Sequence, residues 1–295
     1  MAGSFMAEEI ASQPGHWRRA AALAGEVGDR LPREGRRVAV VGCGTSWFIA
    51  DSYAALREGG GFGYTDAFAV SEFPASRLGA YDEVLAITRS GTTTEVLRLL
   101  ADLRGTTPTT VITGVPAAVA DVADTVVDLS VSDERSVVQT RFATSTLALL
   151  RAHLGADIGV VADQAERVLG EPVDPRVREA GQFTFLGTGW TVGLANEAAL
   201  KLREASISWS ESYPAWEYRH GPISISEPGR VTWMFGDAPE GLSDEVTATG
   251  GTFVDDDLDP LADLVRAQLL AGALAADRGL DPDQPRNLSR SVVLG

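Results

Sequence analysis

The sequence is short of lysine: of its 25 lysine and arginine residues, Lys201 alone is a lysine and the other 24 are arginines. Such a residue marks a place where a compact ammonium, or an amine able to release its proton, is needed and a guanidinium will not serve; chance survival is the other reading of "ALKLRE" (199–204). Cysteine is equally scarce. Cys43 stands alone, which excludes a disulfide within the chain and suits a cytoplasmic protein. The three histidines, His16, His153 and His220, are too far apart in sequence to offer metal-ligand spacing, and no residue pattern calls for a metal or cofactor. No apolar run approaches the ~20 residues of a membrane span. The opening "MAGSFMAEEIASQPGHW" lacks the basic start and apolar core of a signal peptide. Positive charge is in deficit: a net charge of −16 and a pI near 4.6 argue against nucleic acid and anionic membranes as partners. A small anionic substrate remains compatible where local groups oppose that field.

What is present is written twice. "RRVAVVGCGTSWFIADSYAALRE" (36–58) reads as a buried strand, a glycine-rich turn and a helix, and "GQFTFLGTGWTVGLANEAALKLRE" (181–204) repeats that order. Gly42 and Gly44 in the first correspond to Gly187 and Gly189 in the second, and the apolar segments 82–91 and 107–114 correspond to 229–237 and 250–257. Strands alternating with helices at this spacing imply parallel sheets covered by helices. The expected fold is α/β, with two tandem doubly wound parallel-sheet subdomains related by internal duplication. The boundaries expected are a helical arm at 1–35, a first subdomain at 36–155, a helical connector at 156–180, and a second subdomain with its tail at 181–295. Ligands of open parallel sheets sit beyond the carboxyl ends of the strands, so the loops that follow the strands carry the functional candidates.

Four loops or helix starts stand out. In "GCGTSW" (42–47), the glycines let backbone approach an anion at a helix N-terminus while Thr45 and Ser46 add hydroxyls; a tight turn with a serine cap accounts for the same residues. Trp47 occupies the place of the third glycine of a dinucleotide fingerprint, which excludes that motif. "TRSGTTTEV" (88–96) gathers Thr88, Ser90, Thr92, Thr93 and Thr94. The Thr92 and Glu95 spacing predicts a capping box, and the remaining hydroxyls form a neutral phosphate cradle suited to an acidic protein. The second copy carries "FGDAPEGLSDE" (235–245) there, whose carboxylates repel a phosphate, so one phosphate site is expected, in the first half. Glu197, Lys201 and Glu204, at i, i+4 and i+7, share a helix face, either as a solvated ladder or as a carboxylate base beside an ammonium. His220 in "YRHGP" (218–222) is a turn residue or a group that moves protons near neutral pH.

Taken together, "CGTS" (43–46), "SEF" (71–73), "RSGTTTE" (89–95), "EAALKLRE" (197–204), "HGP" (220–222) and "DPDQPRNLSRSV" (281–292) resemble the SIS (sugar isomerase) family, in the double-SIS arrangement of the isomerase half of glucosamine-6-phosphate synthase, without its glutaminase half. The resemblance implies flavodoxin-like subdomains and a phosphosugar substrate. It matches Thr45, Ser46, Ser90 and Thr93 to positions that hold the sugar phosphate and hydroxyls, and the full set of candidates for substrate and phosphate binding is Cys43, Gly44, Thr45, Ser46, Thr88, Arg89, Ser90, Thr92, Thr93, Glu197 and Arg290. It makes Glu204 the base between C1 and C2 with Lys201 beside it, and His220 the ring-opening histidine delivered from a neighbouring subunit, hence a homodimer. Two departures matter. Arg290 stands where the synthase has its imine-forming lysine, and a guanidinium forms no imine; Arg89 replaces a glutamine. Amide transfer is therefore not expected. The expectation is a hexosamine 6-phosphate enzyme that isomerises aldose and ketose with or without deamination, with dehydration by loss of the C3 hydroxyl as the alternative. A non-catalytic phosphosugar sensor is the rival of another class.

Overall fold

The computed structural model describes residues 3–294. The chain divides into two compact units, one holding 15–135, 139–159 and the residues from 289 onward, the other holding the residues up to 14, 136–138 and 160–288.

In the first of these, helix α1 (Phe5–Val27) leads, through its part beyond Pro14, to the strands β1 (Val38–Gly42), β2 (Thr65–Ala69), β3 (Glu83–Thr88), β4 (Thr109–Thr113) and β5 (Thr125–Asp128). They form one parallel sheet in the order β2-β1-β3-β4-β5. The helices α2 (Thr45–Gly59), α3 (Thr94–Leu103) and α4 (Arg141–His153) cover it. The central strands β1, β3 and β4 are buried on both faces, which is why they read as unbroken apolar or β-branched runs in the sequence. α3 presents Val96, Leu99, Leu100 and Leu103 to the core formed with Val84, Ala86 and Val111, positions at the three- and four-residue spacing of one helix face.

The second unit contains α5 (Ile158–Leu169), α6 (Pro175–Arg178), β6 (Gln182–Gly187), α7 (Thr191–Ser206), β7 (Trp209–Pro214), β8 (Arg230–Phe235), α8 (Leu242–Ala248), β9 (Thr252–Val254) and α9 (Pro260–Asp277). Its sheet is again parallel, in the order β7-β6-β8-β9. This is the first sheet's order without a fifth strand, as the duplication requires. α7 packs on α9 through alanine- and leucine-rich faces that are fully buried. Among the described residues no helix is long and apolar enough to cross a membrane.

The duplicated glycine that ends each first strand has the same physical cause in both copies. A Cβ on Gly42 would lie 2.4 Å from the Ser46 backbone carbon, and one on Gly187 would lie 2.3 Å from the Thr191 carbonyl oxygen. The helix that follows packs its first turn directly onto the end of the strand, and only glycine clears it.

Two stability outcomes follow. Gly187→Ala lowers unfolding free energy by at least about 2 kcal/mol in denaturant titration, through overpacking. Gly25→Ala, inside α1 where an added Cβ meets nothing, raises it by about 0.5–1 kcal/mol. A separate outcome concerns acid. His16 is buried against Ser132, its Nδ1 3.1 Å from the hydroxyl. Burial first, then the charges of Arg141 and Arg19, lower its pKa from 6.5 to about 4. The unfolded chain therefore takes up this proton at a higher pH than the folded one, and stability falls as pH drops from about 6.5 toward 4. Replacing His16 with Gln flattens that part of the pH profile of Tm.

Candidate active site

Both loops at the carboxyl end of the first sheet hold the hydroxyls expected there. After β1, Gly44 is the N-cap of α2, at φ 54 and ψ −125, and no side chain caps that helix. The serine cap of the alternative reading is absent because Ser46 already lies inside the first turn, its amide bonded to the Cys43 carbonyl. Thr45 and Ser46 are buried, and Cys43 is half-buried. Burial, reinforced by the charge of Glu95, pushes the Cys43 thiol up to about 11, so it stays protonated and poorly nucleophilic at neutral pH.

After β3, Thr88 Oγ1 accepts from the Gly91 amide (3.3 Å) and Ser90 Oγ from the Thr92 amide (3.2 Å). The N-cap of α3 is Thr93, not Thr92, and it makes no side-chain cap bond. The predicted capping box is thus corrected: counted from Thr93, Glu95 falls at the second helical position, one short of the position that folds back on the cap. Thr92, released from capping, turns its hydroxyl toward Ser291 (3.0 Å). Arg89 is buried, 4.0 Å from the equally buried Glu134, and donates to the Arg290 carbonyl (3.1 Å). Arg290 itself grips Asp133 with Nη2 at 2.6 and 2.8 Å from the two carboxylate oxygens, and its Nη1 donates to the Glu134 carbonyl.

Cys43, Ser46, Thr88, Ser90, Thr93 and Arg290 line one small cavity of about 30 Å³. The structure therefore brings together the candidates drawn from 43–46, 88–93 and 290. Asp133 and Glu134, which no local pattern flagged, belong to the same cluster, as does Ser291, which lies in the 281–292 motif without a role of its own there. Glu134 holds it in place by accepting from the Thr140 amide, the Thr140 hydroxyl and the Arg141 amide at 2.7–2.9 Å, bracing the start of α4.

In the second unit the helix-face reading resolves in favour of burial. Lys201 and Glu197 are fully buried on α7, and the Lys201 ammonium lies 2.6 Å from Glu204 Oε2 and 3.4 Å from Glu197 Oε1. Only Glu204 reaches solvent, at 19% side-chain exposure. The solvated-ladder reading fails because Ala195, Ala198, Ala199 and Leu202 around the triad are buried as well. A charge placed there without a partner costs several kcal/mol, a cost that the two carboxylates beside Lys201 offset. His220 lies elsewhere. It ends the 3-10 turn Glu217–His220, exposed and making no hydrogen bond among the described residues, with Gly221 following at φ 138. Tyr218 anchors the turn, buried with its hydroxyl 3.2 Å from that of Thr232.

The carboxyl end of the second sheet opens into a cavity of about 950 Å³ lined by Thr188, Thr191, Asp237, Asp255, Asp256 and Asp257. Burial and the neighbouring carboxylates of Asp256 and Asp237 raise the pKa of Asp255, the mark of crowded negative charge. This mouth disfavours a phosphate.

With this geometry in view, relatives are informative. The chain is 29% identical to the isomerizing glutamine–fructose-6-phosphate aminotransferase of Gloeobacter violaceus across 98% of its own length and 58% of that protein. It thus spans little more than half the length of the curated relatives it matches. The crystal structure of glucosamine-6-phosphate deaminase from Thermotoga maritima superposes with TM-score 0.81 at 25% identity, covering 99% of this chain and all of that one. Sequence and fold are consistent with a SIS-domain protein. No family model matches it. Another SIS fold, the tagatose-6-phosphate ketose/aldose isomerase of Escherichia coli, superposes with TM-score 0.79 at 20% identity over 96% of each chain, a likeness of fold. Lys201→Ala lowers unfolding free energy by about 3–5 kcal/mol, because it removes the buried ammonium that faces Glu197 and Glu204. The Lys201→Met, Glu197→Gln pair recovers most of that loss in the same denaturant titration.

Proposed function

We propose that this protein acts on a hexosamine 6-phosphate by ring opening and removal of the C2 proton. The observation that carries the reading is the triad on α7: a partly exposed carboxylate, Glu204, tied to a wholly buried ammonium. Such an arrangement supplies a base on one side and a fixed positive charge for the developing enolate on the other. Ser90, Thr92 and Thr93 take the phosphate, with Thr45, Ser46, Thr88 and Arg89 completing the binding set. His220, exposed on its turn, assists ring opening from a neighbouring copy of the chain, which makes the working form a homodimer.

The chemistry then branches from one C1–C2 enol. Glu204 removes the C2 proton, and its return to C1 converts an aldose to a ketose. With a free amine at C2, the same transfer leaves an iminium that water hydrolyses to ketose and ammonia. If the carbanion instead expels the C3 hydroxyl, a C2=C3 double bond and water result. We place isomerisation, with or without deamination, first; supporting it are the aminotransferase relative and the deaminase structure. Dehydration is the second reading. The observation that favours it is Arg290, whose guanidinium is engaged with Asp133 and offers no amine for an imine, chemistry that dehydration does not need.

The test is incubation with glucosamine 6-phosphate and, separately, its N-acetyl form, with products followed by mass spectrometry. A ketose 6-phosphate formed together with ammonia supports the first reading, and a product lighter by water the second. Glu204→Gln lowers kcat by about 10²–10⁴-fold while sugar-phosphate affinity stays within about threefold. Unchanged turnover would remove Glu204 as the base.

A further inference from the structure

We propose that the segment 289–294 is an internal stand-in for the substrate: the Ser291 hydroxyl fills the phosphate seat, and a sugar phosphate binds by displacing it. This rests on the reading of Ser90, Thr92 and Thr93 as that seat. Three hydroxyls converge on Ser291 Oγ, that of Ser90 at 3.1 Å, that of Thr92 at 3.0 Å and that of Thr93 at 3.4 Å. A serine hydroxyl has one proton and two lone pairs. Accepting from Ser90 and Thr92 while donating to Thr93 saturates it, so one tail atom uses the hydrogen-bonding capacity that three seat residues would offer a phosphate oxygen.

The helix end is taken in the same way. The first amide of α3, that of Thr94, donates to the Val292 carbonyl (3.2 Å), and the Leu294 amide donates to Thr94 Oγ1 (2.9 Å). That amide is the group a phosphate at this N-terminus uses. With the segment in place the remaining cavity is about 30 Å³, room for one or two waters. Phosphate and Ser291 therefore exclude each other.

The segment is also held so that it can leave. Val292, Val293 and Leu294 are 53%, 69% and 50% exposed, so little apolar burial retains it, and its bonds to the seat are between neutral groups. A phosphate dianion replaces them with charge-assisted bonds roughly twice as strong. The firm attachment lies one residue earlier, where Arg290 grips Asp133 and its carbonyl accepts from Arg89. That grip is the pivot, and residues 291–294 are the part that swings.

Two full-chain variants test this, with inorganic phosphate and glucosamine 6-phosphate as probes in isothermal titration calorimetry. Ser291→Ala removes the stand-in hydroxyl, and Asp133→Asn loosens the pivot without changing its shape. Ser291→Ala is expected to tighten both probes about three- to tenfold, the worth of a net hydrogen bond, and Asp133→Asn shifts affinity in the same direction. In the parent chain, phosphate speeds hydrogen exchange at the amides of 292–294. Binding by the parent that is unchanged or weaker in Ser291→Ala would overturn the displacement while leaving the phosphate seat intact. Failure of parent and variants alike to bind either probe would overturn both. Should Asp133→Asn fail to fold, Ser291→Ala decides alone.

Discussion

A lysine ammonium buried on α7 between Glu197 and Glu204 is the constraint from which the rest of the proposed chemistry follows. Burying a single charge there is costly, and the two carboxylates beside the ammonium offset that cost. The helix must supply i, i+4 and i+7 on one face, and its alanine-rich remainder must pack closely enough on α9 and β6 to keep water from all but Glu204. Arginine would not fit that place: its planar fork spreads charge over five donors, whereas a point charge can sit within reach of both carboxylates at once. The absence of lysine elsewhere is unexplained by the structure, but its presence at 201 is accounted for.

Duplication has kept the scaffold and let the chemistry diverge. Both sheets end their first strand in a glycine against which the next helix closes, and both run in the order second, first, third, fourth. The loops beyond differ in charge. The first copy follows β3 with neutral hydroxyls at a helix N-terminus, while the second surrounds the equivalent opening with Asp237 and Asp255–Asp257. In a chain of net charge −16, a neutral cradle rich in donors is what local structure can offer an anion against the overall field.

How much of this was legible from residues alone follows physical lines. Central strands such as "VAVVG" and "QFTFLG" are buried on both faces and announce themselves as apolar runs; the edge strands β2, β5 and β7 carry polar and exposed positions and did not. The hydroxyl-rich loop was visible as composition, yet the cap of α3 lay one residue further on than its spacing suggested, because Thr92 bonds to Ser291 instead of to the helix. Glu197, Lys201 and Glu204 could be placed on one face but not ranked between surface and core, since helical periodicity says nothing about what covers the face. The partners of the cradle were hidden for a different reason. Ser291 lies 201 residues from Ser90 in sequence, and Asp133 and Glu134 come from a turn with no motif of their own; only the folded chain sets them together.

The most direct test of the central claim is proton exchange at C2. N-acetylglucosamine 6-phosphate or glucosamine 6-phosphate is incubated with the protein in deuterium oxide and followed by proton NMR. If Glu204 is a base acting on C2, deuterium enters at C2 of the recovered sugar or at C1 of the ketose formed from it. A sugar phosphate that binds and yet keeps its C2 proton through prolonged incubation would contradict the account.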